Sequence, residues 1–288
     1  PVFSATLALV VPRAYLQNAT TWNQSSWLSA SVIGHAMAGF LIAHWGIKGT
    51  LITILSLITI AFTIITRLRP KPPMPISGEL KTWESMKEGL TFVWKTKEIL
   101  ATFSLDMFAV LFGGAVAMLP AFIHDIYHYG PEGLGILRAS PAVGAMMTGI
   151  YLARHPIYNN AGKWLLFAVA GFGVCIIGFG LTPYFWMASL MLFLSGICDG
   201  FSVVLRTTIM QLATPDHMRG RVASINGLFI GSSNELGAFE SGVMAKLMGL
   251  VPSVAFGGLM TLGVVAGTAT LAPKLRNLDL KHLEDSKH

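Results

Sequence analysis

The chain has 288 residues, of which 53% are hydrophobic and only 12% charged, with a formal net charge of +6 and a mean hydropathy of +0.62. A water-soluble chain of this length needs far more charge to cover its surface, so the composition is that of a membrane protein. The positive balance does not mark a nucleic-acid surface either. Of the 20 Lys and Arg, all but Lys48, Arg138 and Lys246 fall on one alternate set of loops, and the basic side is the cytoplasmic one.

Eight apolar runs follow one another, at roughly 25–44, 49–68, 99–123, 134–153, 163–182, 184–205, 222–249 and 251–272. Each is close to the ~20 residues that a helix needs to span a bilayer. They are continuous rather than alternating, which argues for helices and against a barrel. The fold class expected is therefore an all-α, multi-pass helical bundle. The even number of spans and the charge bias both put the two termini in the cytoplasm. The partner implied is the lipid bilayer, with no nucleic acid, and the chain reads as a monomer.

In chain order, residues 1–24 form a polar connection around Val11-Pro12-Arg13. The chain opens on Pro1 with no visible signal peptide and reads as a fragment. The run 25–44 carries His35 between Gly34 and Gly39, and His35 is expected to hydrogen-bond inside the bundle. The Ile/Thr/Leu-rich run 49–68 is expected to face lipid, and it exits through Arg67-Leu68-Arg69-Pro70-Lys71-Pro72-Pro73, where proline stops the helix. Residues 74–98 place Trp83, Met86, Leu90, Val93 and Trp94 at helical spacing, the pattern of an amphipathic linker helix lying at the membrane interface.

The run 99–123 carries Asp106 a third of the way in, then Phe112-Gly113-Gly114 and Pro120. An acid at such depth is costly and marks a titrating or paired group. Its outer end, His124-Asp125-Ile126-Tyr127-His128, reads as an exposed rim rather than a metal site. The next run has Arg138 near its outer end and Pro141 in its first turns. Runs 163–182 and 184–205 turn at Thr182-Pro183 and carry Cys175 and Cys198, small buried residues that imply no disulfide or metal framework. The second of these runs also holds Asp199 within Gly196-Ile197-Cys198-Asp199-Gly200, and then Arg206. Gly196/Gly200, Gly227/Gly231 and Gly263/Gly267 have the GxxxG spacing that permits close helix contact.

The segment Arg206–Gly242 is the richest in chemistry. A turn-rich stretch, Thr214-Pro215-Asp216-His217-Met218-Arg219-Gly220-Arg221, runs into a Gly- and Ser-lined helix holding Asn226, Asn234, Glu235 and Glu240. There is no HExxH, no GxSxG and no paired-aspartate motif in the spans, so an intramembrane enzyme is not indicated. The chain also repeats itself. Aligning Pro12 with Pro215 aligns Asn23 with Asn226, Gly34 with Gly237, Gly39 with Gly242 and Gly46 with Gly249. Unit 25–68 then corresponds to 222–272, the plan of transporters built from two six-span repeats. This predicts residues 1–72 as the last two spans of a first half, 73–98 as the cytoplasmic linker, 99–273 as a complete second half and 274–288 as a cytoplasmic tail. Four spans are expected upstream.

Leu105-Asp106-Met107-Phe108-Ala109-Val110-Leu111-Phe112-Gly113-Gly114, Gly130-Pro131-Glu132-Gly133-Leu134-Gly135-Ile136-Leu137-Arg138 and Arg219-Gly220-Arg221-Val222 … Asn234-Glu235-Leu236-Gly237 resemble the major facilitator superfamily. Within it they look like the bacterial branch that holds the enterobactin exporter and macrolide-type efflux pumps, and they match its fifth to twelfth spans. One departure is Ala238, where that pattern often has an acid. The resemblance implies a plasma-membrane secondary transporter without cofactor or metal. It would export a small molecule, siderophore or drug-like, by rocking two halves about a central cavity while protons move the other way. Competing readings are general multidrug or macrolide efflux and a truncated, non-transporting membrane scaffold.

On that reading Asp106 couples to protons, because burial favours the neutral form of an unpaired acid and a nearby cation favours the charged one. The competing reading for Asp106 is a structural pair with Arg206. Asn226, Asn234, Glu235 and Glu240 form the substrate-cavity set. Glu235 and Glu240 do not share one narrow helix face, so Glu235 is expected to face the cavity and Glu240 to tether a neighbouring helix. Asp199, Arg206, Asp216, Arg219 and Arg221 are expected to form a cytoplasmic salt-bridge gate.

Overall fold

The structure is a computed structural model, and it describes residues 16–67, 82–155, 157, 159–215 and 218–280. The polar connection around Arg13, the prolines after Leu68, Asp216 and the basic tail from residue 281 lie outside the described residues, as does the side chain of His35. Every regular element described is helical: α1 Leu16–Thr66, α2 Thr82–Lys95, α3 Lys97–Phe112, α4 Leu119–Phe122, α5 Pro131–Arg154, α6 Ala161–Leu181, α7 Phe185–Ala213, α8 Arg219–Met248, α9 Leu250–Leu271 and α10 Pro273–Arg276, with a 3₁₀ turn at Ala115–Met118 and a π turn at Ile123–Tyr127.

Six helical stretches among the described residues are long and apolar enough to cross a membrane: Ala36–Thr66, Lys97–Tyr127, Pro131–Arg154, Ala161–Leu181, Phe185–Ala213 and Leu250–Leu271. The runs 25–44 and 49–68 form two helical arms that meet at Gly46, and among the described residues Ala36–Thr66 is the part of them long and apolar enough to span. The run 222–249 forms the 30-residue α8, which is long enough to span but is too polar, through Asn226, Asn234, Glu235 and Glu240, to rank with the other six.

The chain divides into two compact units, Pro1–Glu79 with Gly130–Ala139 and Leu80–Tyr129 with Ser140–His288. In the first unit α1 meets the opening turns of α5 at Gly39, where a Cβ would collide with the Pro131 carbonyl and crowd the Gly135 backbone. Beyond Gly46 most large apolar side chains of α1 are exposed. Its hydroxyls are satisfied within the helix: Thr50, Thr53, Ser56, Thr59 and Thr63 each donate to the carbonyl four residues back. That makes an outer surface suited to hydrocarbon, where an unbonded polar group is expensive.

In the second unit, α6 packs on both α7 and α9, and α3 packs on α8 and α9. Small residues decide how close these helices come, since lipid supplies no hydrophobic drive between them. Gly196 and Gly200 of α7 face α5, where a Cβ would strike the Pro141 backbone, Ala145 and Thr148. The Thr148 hydroxyl donates across this crossing to the Ile197 carbonyl, at 3.1 Å. Gly227, Gly231, Gly263 and Gly267 have no described atom within reach of a Cβ, so among the described residues the first of the three GxxxG spacings is the one at a helix contact. After α9 the chain turns back beneath α6: Gly162 N–H donates to the Leu278 carbonyl, and Leu275, Leu278 and Leu280 join the core of α6 and α7.

The glycines that the repeat aligns share a backbone conformation. Gly46 has φ 64° and ψ −179°, and Gly249, between α8 and α9, has φ 92° and ψ 162°. Both lie in the region open essentially to glycine alone, and each separates the two helical arms of its repeat unit. Gly200→Val is expected to lower the thermal stability of the purified protein by about 1–3 kcal/mol through overpacking. Gly263→Ala should stay within roughly 0.5 kcal/mol. Melting followed by size-exclusion fluorescence separates the two outcomes.

Candidate functional site

The stretch from Lys97 to Tyr127 is not one straight helix. It breaks at Gly113-Gly114, continues as a 3₁₀ turn, and resumes as α with Pro120 in the first turn. The break has a packing cause. A Cβ on Gly113 would meet the Phe172 ring, and one on Gly114 would crowd the Ser241 hydroxyl and the Gly237 backbone. Gly237 in turn sits against the carbonyls of Val110 and Leu111. Irregular backbone at such depth is tolerated where it lines a cavity or is buried in protein. Here it lines one.

That cavity has a volume of about 420 Å³. Its wall combines the break (Gly113, Gly114), Pro141 of α5, Phe172 of α6, Ser195 and Asp199 of α7, and Asn234 of α8. Pro141 removes a backbone donor within α5 and leaves a carbonyl of the preceding turn unbonded. The Ser195 hydroxyl donates back to Leu192, and the Asn234 amide nitrogen donates back to Ile230 at 3.0 Å, which leaves the Asn234 amide oxygen available. Among the described lining residues Asp199 is the one ionisable side chain, and it makes no hydrogen bond or ion pair with another described residue. A carboxylate without a partner inside a span is a functional group by default.

One helical turn before Val110, another lining residue, Asp106 forms an ion pair with Arg206 of α7. Both side chains are deeply buried, at 9% and 11% exposure, and the Arg206 Nε also donates to the Ser202 carbonyl at 3.3 Å. The structural pairing weighed for Asp106 is therefore present.

The structure distributes the other expected site residues more widely. The cavity wall on α8 is Asn234 and Ala238. Glu235 is exposed, Glu240 and Asn226 are half-buried, and none of these three is a lining residue. Glu240 makes no hydrogen bond or ion pair with a described residue that would tether α8. The expected gate residues that are described fall in different places. Arg206 belongs to the buried pair, Asp199 to the cavity, and Arg221 bonds Glu88 of α2 at 2.5 Å. Arg219 borders a separate pocket with Gln211 and Thr214. Two participants were missed. Glu88 lay in a linker assigned no chemistry, although Gly89 beside it is the small residue that admits the Arg221 backbone. Ser195 gave no signal beyond its place four residues before Asp199.

Comparison with known proteins identifies the family. The description of the Major Facilitator Superfamily matches residues 1–238. The chain belongs to this family. Among curated relatives, the enterobactin exporter EntS of Shigella flexneri is 27% identical over 277 residues, 92% of this chain and 63% of that protein. EntS of Escherichia coli O1:K1 / APEC is 28% identical over 282 residues, with the same coverage. The multidrug efflux pump Tap of Mycolicibacterium fortuitum is 27% identical over 197 residues, 67% of this chain and 47% of that one. The chain thus spans under two thirds of the length of these relatives. A bacterial homologue of the human lysosomal transporter Spinster, solved in an inward-facing and unoccupied conformation, shares the fold with a TM-score of 0.64 at 15% identity over 94% of this chain and 72% of that one. The major facilitator fold is a multi-pass, all-α membrane architecture of transporters.

Removing one member of the buried pair leaves the other uncompensated. Arg206→Ala is expected to destabilise the protein by about 3–5 kcal/mol. The double change Asp106→Asn/Arg206→Gln should recover much of that loss. A double-mutant cycle on melting midpoints measures the coupling, and additive losses would show that the two groups act independently.

Proposed function

We propose that this chain is part of a secondary transporter of the bacterial inner membrane that exports a small molecule by alternating access, with proton antiport. The observation that carries the reading is the buried Asp106–Arg206 pair set one helical turn from the wall of a 420 Å³ cavity. A proton arriving at Asp106 cancels its charge, releases Arg206 and loosens α3 from α7; losing the proton restores the pair. An antiporter needs such an element with two arrangements that a ligand and a proton bias differently. On this reading residues 99–273 form one half of the transporter, 1–72 the last two spans of the other, and both termini are cytoplasmic. The Glu88–Arg221 pair then latches the linker to the basic end of α8.

For the substrate, the names of the relatives support a catecholate siderophore and a drug alike. The cavity wall favours the second, because among its described residues the ionisable one is the acid Asp199 and there is no Lys or Arg. An acidic catecholate would be better matched by cations.

The test uses the full-length protein in cells deleted for its gene. Under iron starvation, intracellular retention of catecholate siderophore, measured by mass spectrometry and reversed by the wild type, establishes siderophore export. Normal secretion together with a several-fold rise in drug susceptibility establishes drug efflux. In either case Asp106→Asn should lose the dependence of export on the pH gradient, and full pH-driven export by that variant removes the proton role. Asp199→Asn should weaken cationic substrates more than neutral ones, read as a ratio of transport rates in vesicles.

A further inference from the structure

At the basic end of the second unit lies a cavity of about 460 Å³ that the transport reading does not use. It is formed where the first turns of α3 (Lys97, Leu100, Ala101) meet the junction of α9 with α10 (Leu271, Lys274, Leu275). Lys97 begins one membrane-length stretch and Leu271 ends another. The cavity therefore opens at the level where apolar chain gives way to polar. Leu271 is 86% exposed, and both lysines are exposed and without an ion pair to a described residue. Glu98, the acid of the same turn, is not a lining residue.

A bare leucine beside two ammonium groups is poorly suited to water. It is well suited to a molecule that is anionic at one end and a hydrocarbon chain at the other. Basic pockets between spans on the cytoplasmic side recognise anionic lipid headgroups in this way, each lysine adding attraction to the negative leaflet. We propose that this cavity binds an anionic phospholipid, with Lys97 and Lys274 holding the phosphate and an acyl chain lying along Leu100, Ala101 and Leu271. Free phosphate is the poorer occupant, because it would leave the apolar walls wet. The site is separate from the 420 Å³ cavity and shares no lining residue with it.

The experiment is native mass spectrometry of the full-length protein with phosphatidylglycerol and with phosphatidylcholine of the same chains. Wild type is expected to hold phosphatidylglycerol about 30-fold more tightly than K97Q/K274Q, and about fivefold more tightly than either single variant. Phosphatidylcholine binding should be unchanged, K97R/K274R should restore affinity, and Leu271→Asn should weaken long-chain but not dihexanoyl phosphatidylglycerol. Equal binding of phosphatidylglycerol by wild type and K97Q/K274Q overturns the proposal. So does an equal loss in Lys246→Gln, a lysine outside the cavity, or displacement of the lipid by low-millimolar inorganic phosphate.

Discussion

An aspartate and an arginine taken out of water each cost several kcal/mol, and only their mutual attraction with good geometry offsets it. Asp106 and Arg206 are buried together as such a pair. Their contact holds α3 beside α7, so the break at Gly113-Gly114, Asp199 and Ser195 face one space. A buried ion pair is often no more stabilising than an apolar pair of the same volume, while breaking it by losing one partner is costly. A pair that holds two helices together only while both partners are charged also makes that arrangement responsive to protonation.

Close approach of backbones is the second constraint. In hydrocarbon, helices gain little by hiding apolar side chains from one another, and contact depends on shape and on bonds between polar groups. The glycines of α3, α7 and α8 are therefore where the bundle is joined. Gly114 against Gly237, and Gly196 against Pro141, bring main chains together around the cavity, and hydroxyls such as Thr148 and Thr261 bond across the contacts. Glycines with open space beside them take no part. Spacing along one helix says nothing of what stands opposite it.

The internal repeat has a physical expression in Gly46 and Gly249. Both occupy a conformation closed to side-chain-bearing residues, and both stand between the arms of a two-helix unit. An ordinary residue at either point would be strained, which explains why the aligned position holds glycine in both copies.

Much of this was legible in the linear chain. Hydropathy marked the apolar helices, because spanning length and continuous apolarity are properties of local sequence. The motifs around Asp106, Arg219–Val222 and Asn234–Gly237 pointed to the family to which the chain belongs. Asp106, Arg206, Asp199 and Asn234 stood out because polar groups in apolar runs need a reason. What the linear chain left open was partnership. Arg206 had Asp106, Asp199 and Asp216 as possible partners; Arg221 had a partner in a linker assigned no chemistry; Glu235 was expected to face the cavity, and Asn234, one residue before it, is the one that does. Those choices depend on helix rotation and crossing, set by side chains a hundred residues or more away. Membrane setting, helices, repeat pattern and chemically costly residues can all be read along the linear chain, because each follows from local composition and spacing. Which of those residues face one another comes from the folded bundle, because packing of distant segments fixes the contacts of every buried charge.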